Sequence, residues 1–241
     1  MKIITSATPE ELAFAVAQTV AAFIRANPGR LVSLAAGDTP LAALRELVAM
    51  QNRGEVDLNS VGYVGLDEWG GLGPADAGSC IEVMNRHFYH PAGIRPENLC
   101  CFDGLAADPE ADAAKVLDFV ARRGPLGLTL LGIGMNGHLG FNEPGTSPDF
   151  TGGVVRLAEV TREVGRKYFA GRTPGETGIT LGLGTLRRAD RILLMATGEK
   201  KRPILNRIAA SPDDPAVPAS HFVNHPAATW YLDRAATPDT V

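Results

Sequence analysis

Seven short apolar runs, separated by stretches long enough for amphipathic helices, constrain this chain more than any other feature. They fall at residues 2–5, 31–35, 62–66, 128–131, 179–183, 192–196 and 229–232. Most are apolar at every position rather than every second one, so neither face of the sheet they build can be wet. Burial on both faces is the mark of a parallel sheet covered by helices. The intervening stretches supply those helices. Thr8-Pro9-Glu10-Glu11 offers an N-cap, a proline at the first helical position and a capping glutamate before a periodic run to residue 26. Further helices are expected over residues 41–51, 81–87, 109–122 and 200–210. The order predicts an α/β fold, a mostly parallel, Rossmann-like sheet with helices on both faces. No Ser/Gly linker, charge block or repeat marks a boundary, so residues 1–241 read as a single domain.

Composition narrows the partners. A net charge of −4 argues against nucleic acid or an anionic membrane as the main partner, while leaving room for a local basic site that binds a small anion. The longest apolar stretch, residues 13–24, is interrupted by Gln18 and Thr19 and is too short to span a bilayer. The opening Met-Lys-Ile-Ile-Thr-Ser lacks the pattern of a signal peptide, so a cytoplasmic location is expected. Cys80, Cys100 and Cys101 have no C-x-x-C spacing and read as buried free thiols. His87 and His90 have no third ligand at a recognisable spacing, so no metal is expected.

In a parallel sheet ligands bind beyond the carboxyl ends of strands, so the residues after each run carry the functional reading. The run at 31–35 leads into Gly37-Asp38-Thr39-Pro40, where Thr39 is suited to cap a helix that Pro40 begins. The N–H groups and dipole of such a helix suit a phosphate, and an inward Asp38 would oppose one. The run at 62–66 leads into Asp67-Glu68-Trp69. Adjacent residues on extended chain point to opposite sides, so one carboxylate can face a cleft and serve as a base if burial raises its pKa. Lys201 follows the run at 192–196 and can reach a phosphate oxygen as a point charge.

Residues 131–145 are the fourth such loop, and they concentrate glycine around His138 and Glu143. His138 can move protons at neutral pH and Glu143 can orient it. Gly132, Gly134 and Gly137 spell G-x-G-x-x-G, yet the dinucleotide reading fails. The third glycine should open a helix and an acid should follow roughly 20 residues on, whereas here Pro144 and Gly145 interrupt any helical period.

Taken in order, these segments resemble the glucosamine-6-phosphate deaminase family, part of a larger group that includes 6-phosphogluconolactonases. The resemblance spans nearly the whole chain through Gly37-Asp38-Thr39-Pro40, Leu66-Asp67-Glu68-Trp69 with Ser79, residues 132–144 with His138-Leu-Gly-Phe-Asn-Glu143-Pro, residues 179–186 with Thr180, Gly182, Gly184 and Thr185, and Gly198 with Lys201. Phe-Asn-Glu-Pro is the discriminating part, since lactonases have a similar Gly-His loop without it. The resemblance implies conversion of a 2-amino-2-deoxyhexose 6-phosphate into a ketohexose 6-phosphate and ammonia, with no cofactor and no metal, in a monomer or homo-oligomer. It implies Asp67 as the carbon base, His138 as the ring-opening group and Glu143 as its support. It also implies that Gly37, Asp38, Thr39, Lys167 and Lys201 hold the phosphate. Three positions depart from the family: Lys167 stands where arginine is usual, Asn136 where aspartate is usual, and Asp38 where glycine is usual. Asn136, kept among the catalytic candidates, leaves the galactosamine epimer as an alternative substrate. A lactone hydrolase and a non-catalytic sugar-phosphate sensor are the further alternatives.

Overall fold

A computed structural model describes residues 1–169 and 175–239. Among them, seven strands form one parallel sheet: β1 (Ile3–Ser6), β2 (Leu31–Leu34), β3 (Gly62–Val64), β5 (Leu99–Cys100), β6 (Leu128–Gly132), β9 (Arg191–Ala196) and β10 (Ala228–Asp233). Their order across the sheet is β1-β10-β9-β6-β2-β3-β5. The continuous apolar runs are explained by where alternate side chains go. Val32, Leu128, Leu130, Leu193, Met195 and Tyr231 enter a core on one face, under α1 (Pro9–Ala26) and α2 (Asp38–Asn52). Leu31, Leu131, Ile192, Leu194, Trp230 and Leu232 enter a second core on the other face, with α4 (Pro109–Arg123) and α7 (Arg202–Ala210). Each fully buried leucine is worth roughly 1.5–3 kcal/mol of transfer free energy, so both helical layers are required.

The strand order reverses between β2 and β6. From β2 the chain builds outward through β3 to β5, and from β6 it builds the opposite way through β9 to β10, beyond which β1, the first strand of the chain, forms the edge. Loops after β2 and β6 therefore part at this point and leave a crevice, the place where ligands bind in such sheets. The two loops stay close, since a Cβ on Gly132 would lie 3.6 Å from the Pro40 ring.

Several expectations need correction. The run at 179–183 is not in the parallel sheet. Thr177–Leu181 forms β8, the centre of a three-stranded antiparallel sheet with β4 (Asp67–Trp69) and β7 (Gly152–Arg156). Ile179 and Leu181 are still buried, in the second core, and burial on both sides produces the same apolar run in either strand direction. Leu183 begins α6 (Leu183–Leu186). β4, β5 and β7 were not expected: β4 carries two acids, β5 is only two residues long, and β7 opens on two glycines and ends on arginine. Thr39 is not the cap of α2: the N-cap is Gly37, and Asp38 and Thr39 already lie in the first turn. The helix expected at 81–87 is α3 (Cys80–Met84), capped by Ser79, followed by a π-turn over Asn85–Tyr89. The remaining helix is α5 (Glu159–Gly165). The N-terminal start of α1 is as read: Thr8 accepts from the Glu11 N–H at 3.2 Å. The cysteines are free, but each is partly exposed rather than buried. Among the described residues no helix is long and apolar enough to cross a membrane, and no three His, Cys, Asp or Glu side chains form a group that could hold a metal ion.

Candidate active site

A cleft of about 350 Å³ opens where β2 and β6 part. Gly37, Asp38, Thr39, Asp67, His138, Lys167 and Lys201 all line it, so residues from opposite ends of the chain meet in one place. Asn136 and Glu143 stand behind His138.

Asp67 and Glu68 divide their roles by the alternation of extended chain. Glu68 is almost fully buried away from the cleft. Its carboxylate accepts from the N–H groups of Trp69, Cys80 and Ile81 at 2.8, 2.9 and 2.8 Å, and so holds the N-terminus of α3. Asp67 faces the cleft, half-buried. Burial pushes its pKa up to about 6, against a smaller downward pull from the Cys80 thiol. A carboxylate poised there is ionised at neutral pH yet basic enough to take a proton from carbon.

His138 is held by a chain of three side chains. Asn136 Oδ1 lies 2.7 Å from His138 Nδ1 and accepts the His138 backbone N–H at 3.1 Å, while Asn136 Nδ2 donates to Glu143 Oε2 at 3.0 Å. These contacts fix the Asn136 amide, because its nitrogen must face the carboxylate. An amide oxygen only accepts, so His138 carries its proton on Nδ1 and leaves Nε2 as the acceptor. Burial holds the His138 pKa below its ordinary value, with Lys201 reinforcing and Glu143 opposing, so the ring is neutral at pH 7. Glu143 is 3.8 Å from the ring and acts through Asn136 rather than by direct contact. Its other oxygen accepts the Ala158 N–H at 3.2 Å, which ties the loop to the start of α5.

Two glycines are needed here for space. A Cβ on Gly134 would sit 2.3 Å from the His138 ring, so the imidazole lies flat against that backbone. Gly140, at φ +57°, presses the loop onto β4: a Cβ there would fall 2.9 Å from Thr180 Oγ1 and 3.4 Å from Asp67 Oδ2. That contact brings the carboxylate alongside the histidine loop. Asn142 is a fully buried bolt, donating to the carbonyls of Leu139 and Leu181 at 2.7 and 2.9 Å and accepting the Leu183 N–H at 3.0 Å.

The other end of the cleft is cationic. Lys201 donates to the Ile133 carbonyl, and burial together with nearby Lys167 pushes its pKa down to about 8. The first turn of α2 adds N–H groups without intrahelical partners. Lys167 Nζ donates to Asp38 Oδ2 at 2.6 Å, so the acid expected to oppose an anion is paired with one of the lysines. Sequence reasoning missed Thr161, whose hydroxyl lies 3.2 Å from His138 Nδ1, and Cys80 beside Asp67. Neither carries a local signal, since both reach the site only by folding of distant segments.

Fold and cleft together define a protein with an acid–base pair and a cationic end in one cleft at the switch point of a parallel sheet. The chain belongs to the family described as glucosamine-6-phosphate isomerases/6-phosphogluconolactonase, whose model matches residues 5–230. It is 34% identical over 238 residues to a glucosamine-6-phosphate deaminase of Thermoanaerobacter pseudethanolicus, covering 98% of this chain and 94% of the relative. It is 33% identical to glucosamine-6-phosphate deaminase 2 of Giardia intestinalis, covering 94% and 87%. The solved structure of a monomeric glucosamine-6-phosphate deaminase superposes with a TM-score of 0.93 at 33% identity, over 98% of both chains. A 6-phosphogluconolactonase from Trypanosoma brucei shares the fold at a TM-score of 0.75 and 21% identity, over 98% of this chain and 97% of that one.

Proposed function

We propose that this chain, acting as one domain, is a glucosamine-6-phosphate deaminase. The observation that carries the reading is the pairing, in one cleft, of a carboxylate with pKa near 6 and a neutral histidine, opposite two lysines and a helix N-terminus. The cationic end suits a 6-phosphate, held by Lys201, Lys167, Thr39 and the Gly37–Thr39 backbone. His138 Nε2 takes the proton of the anomeric hydroxyl as the C1 to ring-oxygen bond breaks, and the ring oxygen takes up a proton. Asp67 then removes the C2 proton and returns it to C1, while the aldehyde oxygen gains a proton and the nitrogen gives one up, which converts the aldehyde and amine into a hydroxymethylene group beside a C2 imine. Water adds at C2 and ammonia leaves, so substrate plus water gives ketohexose 6-phosphate plus ammonia. A lactone hydrolase needs the phosphate grip but no carbon base, and the raised pKa of Asp67 favours the deaminase.

Ammonia release is measured with glucosamine 6-phosphate and with its galactosamine epimer as the sole substrate. Release from glucosamine 6-phosphate is expected. Release from the galactosamine compound alone changes the substrate, with tagatose 6-phosphate as the product. Lactone hydrolysis without ammonia from either amino sugar overturns the reading.

A further inference from the structure

One charge in the cleft is not used by the chemistry above. Asp38 is exposed in the first turn of α2, and Lys167 reaches it from the turn after α5, 129 positions away in sequence. Lys167 is held in place for this contact. Its ammonium lies 4.7 Å from the centroid of the Tyr168 ring, and the Tyr168 carbonyl is packed so closely on Gly78 that a Cβ there would fall 2.4 Å from it. The Lys167 ammonium is thus positioned at the cationic end of the cleft and already neutralised. Both partners are about half exposed, at 50% and 58%, so water screens the pair and its opening costs little.

We propose that Asp38 is an internal competitor for the phosphate group: its carboxylate is the resident counter-ion of Lys167, which a sugar phosphate must displace to bind. The inference rests on the cationic end being a phosphate site, as proposed above. Two effects weaken binding. Lys167 gives up one ion pair to form another, and Asp38, still anchored on α2, then faces the incoming dianion without its partner. Asp38 therefore sets affinity downward and favours release of the phosphorylated product. Because the contribution applies equally to the bound substrate and its transition state, it falls in KM rather than kcat.

The test is calorimetric titration of the intact protein with inorganic phosphate at pH 7, where Lys201 is charged. Asp38→Asn is expected to tighten phosphate binding two- to fivefold at low salt, the scale of one screened ion pair. The gain should shrink in 0.5 M sodium chloride, since exposed charges are screened there. Asp38→Ser repeats the measurement with a shorter neutral side chain. Unchanged or weaker binding in both variants overturns the proposal, as does failure of phosphate to bind the unaltered protein. Ammonia assays run separately keep the two ideas apart. Absence of ammonia with tighter phosphate binding removes the deaminase and leaves the competitor standing, and ammonia release with unchanged binding does the reverse.

Discussion

Replacing Asp67 by asparagine should make the protein inactive and more stable, with a pH dependence that identifies the cause. Burial lifts the Asp67 pKa from 3.8 in the unfolded chain to about 6 in the folded protein. That gap of about 2.2 pH units, at 1.36 kcal/mol each, is roughly 3 kcal/mol. The sign follows from proton binding. The folded state holds the Asp67 proton more tightly, so below pH 3.8 the residue costs nothing. The cost grows between pH 3.8 and 6, and it stays constant above. The neutral amide of the Asp67→Asn variant carries no such cost at any pH, so the variant should gain about 3 kcal/mol over the parent above pH 6.5 and nothing near pH 3.5. For a chain of 241 residues that is roughly 6–12 °C in Tm. Differential scanning calorimetry from pH 4 to 8 gives the stability difference, and an ammonia assay gives turnover. A stability gap that does not change with pH refutes the burial argument, and retention of most turnover removes Asp67 as the base. A gain in stability with loss of chemistry is the expected signature of a group whose burial serves reaction rather than folding.

Two further outcomes follow from the histidine loop. Gly134→Ala places a methyl group where the His138 ring lies, so ammonia release should fall at least about a hundredfold while far-UV circular dichroism is unchanged. Normal turnover would mean that His138 need not hold its present orientation. Asn136→Asp sets a carboxylate 2.7 Å from His138 Nδ1 and about 3.0 Å from Glu143. The added negative charge should raise the His138 pKa. Because the ring must be neutral to accept a proton, the acid limb of the pH–rate profile should move to higher pH. NMR titration of the imidazole tests this directly, and an unmoved midpoint would mean the new carboxylate binds a proton with Glu143 and stays neutral.

The chain's strand-end loops were legible to different depths. The Asp67-Glu68 pair showed that only one acid could face a cleft, but not which: the pairing of β4 with β8 sets that, turning Glu68 under α3 and Asp67 into the cleft. His138 and Glu143 stood out in sequence, yet the intermediary role of Asn136 depends on three bonds that only the folded loop makes. The run at 179–183 was misplaced for a physical reason, since an apolar run reports burial on both faces and is silent about strand direction. Asp38 was readable as a charge opposed to phosphate, whereas its pairing with Lys167 joins segments 129 residues apart.

Sequence alone determined the local and the periodic: which apolar runs are strands buried on both sides, which stretches are the amphipathic helices that cover them, where glycine lets the chain turn, and which titratable groups sit at strand ends. Tertiary structure decided the rest: the reversal of strand order between β2 and β6 that opens the cleft, the second sheet that aims Asp67, and the charge balance around the lysines. The division has a single physical origin. Hydrophobic period and backbone freedom are properties of neighbouring residues. Desolvation, ion pairing and hydrogen-bond direction belong to groups that only folding brings within a few ångströms of one another.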